Sequence, residues 1–265
     1  MDWFTDWLPP ALVDLPATAP SVSPPGDFRN GWFWAIVVGI LTFWALAYAL
    51  EIHRASVDKY VGIPVVVVAI NFGWEFVHSV VIDQEPAQRP ANLLWFLVDI
   101  VIVIQVVKYG NKDFPRLGRT LFLRLFFGLV AVAAFQTFLM AYEFRDILGM
   151  YSGCALNVGI SAAFIVTLVK RRCSAGLSLH AAISKMIGSQ LAGLNVLILF
   201  PDRYLVLSWF VMMLILDLVY IRMLYRQIRK DGYSPWAINR PRVYPPAPVP
   251  ATPAAQPAPA VALPQ

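Results

Sequence analysis

Charge is what this sequence has least of. Only 14% of its 265 residues are Asp, Glu, Lys or Arg, where a soluble domain carries roughly a quarter. That deficit argues against a water-soluble globular domain. Cysteine is nearly missing: Cys154 and Cys173 stand alone, which excludes a disulfide framework and leaves both as reduced thiols without an assigned role. No His, Cys and Asp cluster has metal-ligand spacing, and no glycine-rich loop is built to cradle phosphate. There is no Asp-rich run of the kind that holds magnesium diphosphate. The start lacks the basic opening and apolar core of a signal peptide; instead it carries Asp2, Asp6 and Asp14. The net charge of +5 would suit a nucleic-acid partner. The bases, however, gather at the ends of hydrophobic runs, so membrane topology explains them and no nucleic acid is expected.

Apolar sequence is abundant. Hydrophobic residues make up 58% of the chain, and the mean hydropathy is +0.62. Seven runs stand out: Trp32–Leu50, Ile63–Ile82, Ala91–Val107, Thr120–Ala141, Met150–Val169, Leu177–Phe200 and Tyr204–Tyr225. Each is near the ~20 residues that cross a hydrocarbon core, the third being shortest. Short connections favour antiparallel neighbours in one bundle. The expected fold is all-α, an integral membrane bundle of seven transmembrane helices in a lipid bilayer. Bases follow runs one, three, five and seven (Arg54 and Lys59; Lys108, Lys112, Arg116 and Arg119; Lys170, Arg171 and Arg172; Arg226, Arg229 and Lys230). The opposite side carries only Arg29, Arg89, Arg145 and Arg203. This alternation predicts an outside N-terminus and a cytoplasmic C-terminus. Residues 1–30 read as an N-terminal segment that either lies in the interface through Trp3, Phe4, Trp7 and Leu8 or hangs loose. Residues 31–230 read as the helical domain and 231–265 as a Pro/Ala-rich disordered tail.

Against this apolar background the polar residues inside the runs carry information. The stretch Asn71-Phe72-Gly73-Trp74-Glu75-Phe76-Val77-His78 lies within the second run. Helical spacing places Asn71, Glu75, His78 and Ser79 on one face. The third run holds Asp99, the sixth Lys185 and the last Asp217. At ~1.5 Å per residue, Glu75 and Asp99 share a depth and Asp217 lies somewhat deeper. Three acids could therefore line one cavity at two levels. Intramembrane acids are costly and usually face a pathway or a pocket. Blander readings stand beside this one: Asp99 pairing with Asn, Ser or water to orient helices, Lys185 snorkelling or neutralising Asp217, and His78 as a hydrogen-bonding partner. Aromatics flank the acids: Trp74 beside Glu75, Trp95 a turn from Asp99, and Phe210 and Tyr220 on the Asp217 face. Most tryptophans in such a chain serve interfaces and packing. Aromatic faces in a dry pocket also suit a carbocation, which they hold without offering a nucleophile.

The pattern resembles a known family. Asn71-Phe72-Gly73-Trp74-Glu75 and Leu216-Asp217-Leu218-Val219-Tyr220 resemble the small seven-helix integral membrane terpene cyclases of fungal meroterpenoid and indole-diterpene pathways and their bacterial relatives. Asp99 through Gly110, Arg172 through Ser178, and Lys185-Met186-Ile187-Gly188 add to the likeness, which covers about Trp32 to Arg226. The resemblance implies protonation-initiated cyclisation of a polyprenyl chain, often with a terminal epoxide, on an aromatic or heteroaromatic head. It implies two essential acids, which fall on Glu75 and Asp217. Glu75 is the leading proton donor; Asp217 polarises it, shares its proton or takes the final one. Asn71 and His78 are candidates to orient Glu75, while Trp74, Trp95, Asp99, Phe210, Tyr220 and Lys185 are candidates to bind substrate or support the acids. No metal and no cofactor is required. The partner is a hydrophobic prenylated small molecule. The expected location is multi-pass, in the cytoplasmic membrane of a bacterium or the endoplasmic reticulum of a fungus.

Two other classes share the pattern. A proton-coupled transporter would also set acids on facing helices, though the inverted repeats common there are not visible. A seven-helix sensor or assembly protein would use the acids only to pack the bundle. Prenyl length, head group, ring number and oligomeric state are not written in the sequence.

Overall fold

The computed structural model describes residues 31–82 and 89–244, and every described element is helical. The helices are α1 (Gly31–Asp58), α2 (Val65–Phe76, continued by a π-helical turn Val77–Val81), α3 (Arg89–Tyr109, followed by a 3-10 turn Gly110–Asp113), α4 (Arg119–Phe144), α5 (Met150–Arg171), α6 (Leu179–Leu199) and α7 (Tyr204–Lys230). Six of them are long and apolar enough to cross a membrane; the seventh, Val65–Val81, is shorter. The expectation that the third run is the shortest is corrected here. α3 gains two residues at either end and runs on into the 3-10 turn, whereas the helix of the second run begins only after Pro64, which has extended backbone and cannot donate within a helix.

The first helix also differs from its apolar run. It continues past Leu50 to Asp58, and Glu51, Arg54 and Asp58 in those added turns are all buried. Residues 231–244, expected as the start of a loose tail, lie across the end of the bundle with Arg240 and Val243 buried. Residues 1–30 and 245–265, and the expectations for them, lie outside the described residues.

Helix neighbours define a ring. α1 packs along α6, α6 on α7, α7 on α5, α5 on α2, α2 on α3, and α3 returns to α1. α4 stands outside this ring against α2. Gly73 makes that contact close, since a Cβ there would lie 2.7 Å from the Ala134 backbone nitrogen. Gly188 on α6 does the same under Trp44 of α1, 2.8 Å from its indole. Small residues at crossings let helices approach without the hydrophobic drive that water would supply. Large apolar side chains instead point outward: Leu93 and Leu97 on α3, Leu125 and Phe135 on α4, Ile215 and Leu218 on α7. In water such faces would aggregate; they belong against lipid. This is a multi-pass membrane protein.

The ring is closed at the end where the bases gather. Asp58 accepts there from Arg54 (Nε at 2.7 Å, and Nη2), from the Gly176 N–H at 2.7 Å and from the Val243 N–H at 2.8 Å. Arg240 donates to the carbonyls of Ser174 and Leu177, and Arg54 to those of Arg240 and Pro241. Gly176, at φ 77°, lets the loop before α6 press against the backbone of Tyr60 and Gly62. Ser178 then caps α6 by accepting the Ala181 N–H. Beside it, burial pushes the Cys173 thiol above its usual range, which fits an inert role.

Candidate active site

A cavity of ≈ 60 Å³ of water-accessible volume lies inside the ring. Every ring helix contributes to it and α4 does not. Its walls are mostly apolar, with Trp44, Val67, Ile102, Ile160 and Phe164 among them. Its polar atoms come from Tyr48, Glu51, Asn71, Asp99, Lys185 and Tyr220.

One wall is built on α1, α2 and α3. Asn71 donates through Nδ2 to Asp99 Oδ2 at 2.7 Å and reaches the Tyr48 hydroxyl at 3.5 Å. Trp95 stacks on Tyr48 with centroids 5.6 Å apart. Asp99 thus has a donor and a rigid aromatic backing. Glu75 lies one turn along α2 from Asn71. It is 6% exposed, and its Oε2 has no hydrogen-bond partner among the described residues. A buried carboxyl oxygen left unmatched is costly, and such groups concentrate where chemistry is done.

The facing wall joins α5, α6 and α7. Lys185 Nζ reaches both oxygens of Asp217, at 2.9 and 3.0 Å, and the Ser161 hydroxyl at 2.6 Å. Both charged side chains are buried. Neutralisation of Asp217 by Lys185, one of the two roles weighed for that lysine, is thus what the geometry contains. Tyr220, one turn further toward the closed end, lines the cavity with a hydroxyl that has no described partner.

Other candidates turn elsewhere. Trp74 donates through Nε1 to Ser152 Oγ at 2.9 Å, and its ring stacks on His78 at 4.2 Å. His78 Nδ1 lies 3.1 Å from the Trp74 carbonyl. This pair packs on the start of α5, where a Cβ on Gly153 would sit 3.0 Å from the indole. The stripe of Asn71, Glu75 and His78 expected from regular spacing is therefore split. Asn71 joins Asp99, while His78 joins Trp74, its neighbour four residues back on the helix. Phe210 packs on Gly193 and with Val206 and Met213, away from the cavity lining. Neither Glu75 nor Asp217 itself borders the cavity; Asn71, Asp99, Lys185 and Tyr220 do.

The sequence reading missed Glu51 and Asp58. Both lie beyond the apolar run, where a helix in water-facing loops would be expected to stop. The available signal was their spacing: Glu51, Arg54 and Asp58 fall at i, i+3 and i+7, one helical face.

The chain is similar to proteins named as terpene cyclases. It shares 30% identity over 155 residues with the Pyr4-family terpene cyclase mfmH of Annulohypoxylon moriforme, covering 57% of this chain and 64% of that protein. With the terpene cyclase ascF of Acremonium egyptiacum it shares 28% over 120 residues, 43% of each. These stretches span less than two thirds of either relative. With the terpene cyclase pyr4 of Aspergillus fumigatus it shares 23% over 218 residues, covering 76% of this chain and 88% of that protein. No solved structure matches. Residues 21–231, which take in the whole helix ring and both carboxylate-bearing walls, match the family of Pyr4-like transmembrane terpene cyclases, and the chain belongs to that family.

Proposed function

We propose that the protein is a terpene cyclase that closes rings by protonating a prenyl chain held inside the helix ring, and that it crosses the membrane seven times with its C-terminus in the cytoplasm. The observation that carries this reading is Glu75: a buried carboxyl group, one oxygen of which has no partner among the described residues, one helical turn from Asn71 in the cavity wall. A carboxylic acid shielded from water is suited to act as a general acid. Glu75 delivers its proton to the oxygen of a terminal epoxide. The C–O bond breaks as the nearest double bond attacks the carbon, each ring closure passes the positive charge onward, and loss of a proton ends the sequence. Atoms in equal atoms out, so the step is an isomerisation.

The other groups fall into supporting roles. Asn71 fixes Asp99, and Asp99 and Tyr48 border the path from Glu75 to the cavity. Lys185 engages both oxygens of Asp217, which favours Asp217 as a fixed anion that attracts the cation or takes the final proton over a role as donor. Trp44, Tyr48 and Phe164 supply ring faces for cation–π attraction and exclude water. Pockets for ligands of this size run to ~300–1,000 Å³, so substrate binding has to separate these walls, and that movement brings Glu75 and Asp217 into contact with the chain.

The test uses membranes from cells expressing the protein, offered epoxidised farnesyl and geranylgeranyl conjugates of simple aromatics. Products of unchanged mass and new rings, lost in Glu75→Gln and Asp217→Asn at equal expression, are expected. No cyclisation of any conjugate by folded wild type refutes the proposal.

A further inference from the structure

The mechanism leaves two buried polar groups at the closed end of the cavity without a task. Glu51 is 8% exposed and borders the cavity; its Oε1 accepts the Ser178 N–H at a long 3.4 Å, and its Oε2 has no hydrogen-bond partner among the described residues. Oε2 rests over Gly62, at the point where the Gly176 carbonyl also closes on that glycine. Across the cavity is Tyr220, 3% exposed, with an equally unpartnered hydroxyl. One group is an acceptor and the other can donate. Two unmatched polar atoms in a mostly apolar pocket are costly together, and the cost is recovered when a ligand supplies the complement.

We propose that Glu51 and Tyr220 form the subsite for the polar head of the substrate, Glu51 accepting from a phenol-type hydroxyl and Tyr220 donating to its oxygen. This rests on the cyclase reading above and adds the direction in which substrate lies. The spacing agrees. Tyr48 and Asn71 are at one depth, being in contact. Glu51 is three residues from Tyr48 toward the closed end, and Glu75 is four residues from Asn71 the other way, α1 and α2 running antiparallel across the short loop between them. Seven residues at ~1.5 Å place the head subsite and the acid ~10 Å apart along the bundle. A folded chain of three isoprene units covers that distance. The head then sits at the closed end and the terminal epoxide at Glu75.

Three non-reactive probes separate the two contacts: farnesylphenol, its methyl ether, and farnesylbenzene. Binding to the full-length protein in detergent is read by competition with a fluorescent prenyl ligand, so no turnover is needed. Wild type is expected to prefer phenol over ether and ether over hydrocarbon, each step about 10-fold or more, as for loss of one hydrogen bond in a dry site. Glu51→Met erases the phenol–ether step alone, because the ether keeps its acceptor oxygen for Tyr220. Tyr220→Phe erases the ether–hydrocarbon step alone, and it removes a hydroxyl with no hydrogen-bond partner among the described residues, so its fold is expected to hold. Equal binding of all three probes by wild type overturns the proposal, as does a uniform loss for all three in either variant. The preference order surviving in a protein that cyclises no epoxide would refute the cyclase reading and leave the subsite standing.

Discussion

Replacing Lys185 with methionine is the most informative single change to the bundle. The side chain keeps its length and apolar stem but loses the ammonium group. Asp217 then has no described donor, because both of its oxygens are engaged by Lys185, and the Ser161 hydroxyl loses its 2.6 Å partner. Removing one member of a buried ion pair costs about 3–5 kcal/mol, since the remaining charge stays in a low-dielectric interior. For a domain of this size each kcal/mol corresponds to ~2–4 °C in unfolding temperature, so Lys185→Met is expected to unfold ~6–20 °C lower. Lys185→Met with Asp217→Leu removes both charges and both desolvation penalties. Such replacements are often neutral or stabilising by ~1–4 kcal/mol, so the double variant is expected to recover to wild type or above. The assay is thermal unfolding of detergent-purified protein, followed by size-exclusion recovery of the folded fraction. A single variant within ~1 kcal/mol of wild type, or a double variant as unstable as the single, refutes the assignment of a buried, mutually neutralising pair. Turnover by the recovered double variant then reads the chemistry. A folded protein without activity assigns Asp217 to the reaction; a folded and active one assigns the pair to packing.

Further outcomes follow from other contacts. Glu75→Gln is expected to keep the fold and lower turnover by at least ~100-fold, the scale of a lost general acid, in the membrane cyclisation assay. Asn71→Leu leaves Asp99 without its 2.7 Å donor and is expected to destabilise by ~1–3 kcal/mol by the same unfolding measurement. Gly73→Leu is expected to destabilise by at least ~1–3 kcal/mol, because the added atoms meet the α4 backbone, which cannot swing aside. Arg54→Met removes the guanidinium donors to Asp58 and to the carbonyls of Arg240 and Pro241. Limited proteolysis is expected to cut residues 231–244 sooner in that variant than in wild type.

The helical class, the membrane environment and the family were legible in the sequence for a simple reason. A bilayer demands ~20 apolar residues per crossing, and that demand is satisfied locally, residue by residue. The same logic made Glu75, Asp99, Lys185 and Asp217 conspicuous, because polar atoms in such runs are expensive. Their partners were another matter. Regular 3.6-residue spacing allows His78 to meet either Glu75 or Trp74, three and four residues back, and tertiary packing on the start of α5 chose Trp74. The apolar run ended at Leu50, yet the helix went on, and loops from distant parts of the chain buried Glu51 and Asp58 beneath Gly176, Ser178 and Val243. Phe210 shared a face with Asp217 by count but filled a gap over Gly193. By itself, then, the sequence determined which segments lie in lipid and which residues were too polar to be there without reason, since both follow from transfer of single residues out of water. Only the tertiary structure decided which acid met a lysine and which kept an unpartnered oxygen, and that six helices, with α4 left outside, closed around the cavity. Those are pairings between residues far apart in the chain, and they depend on helix register and crossing geometry that no local pattern encodes.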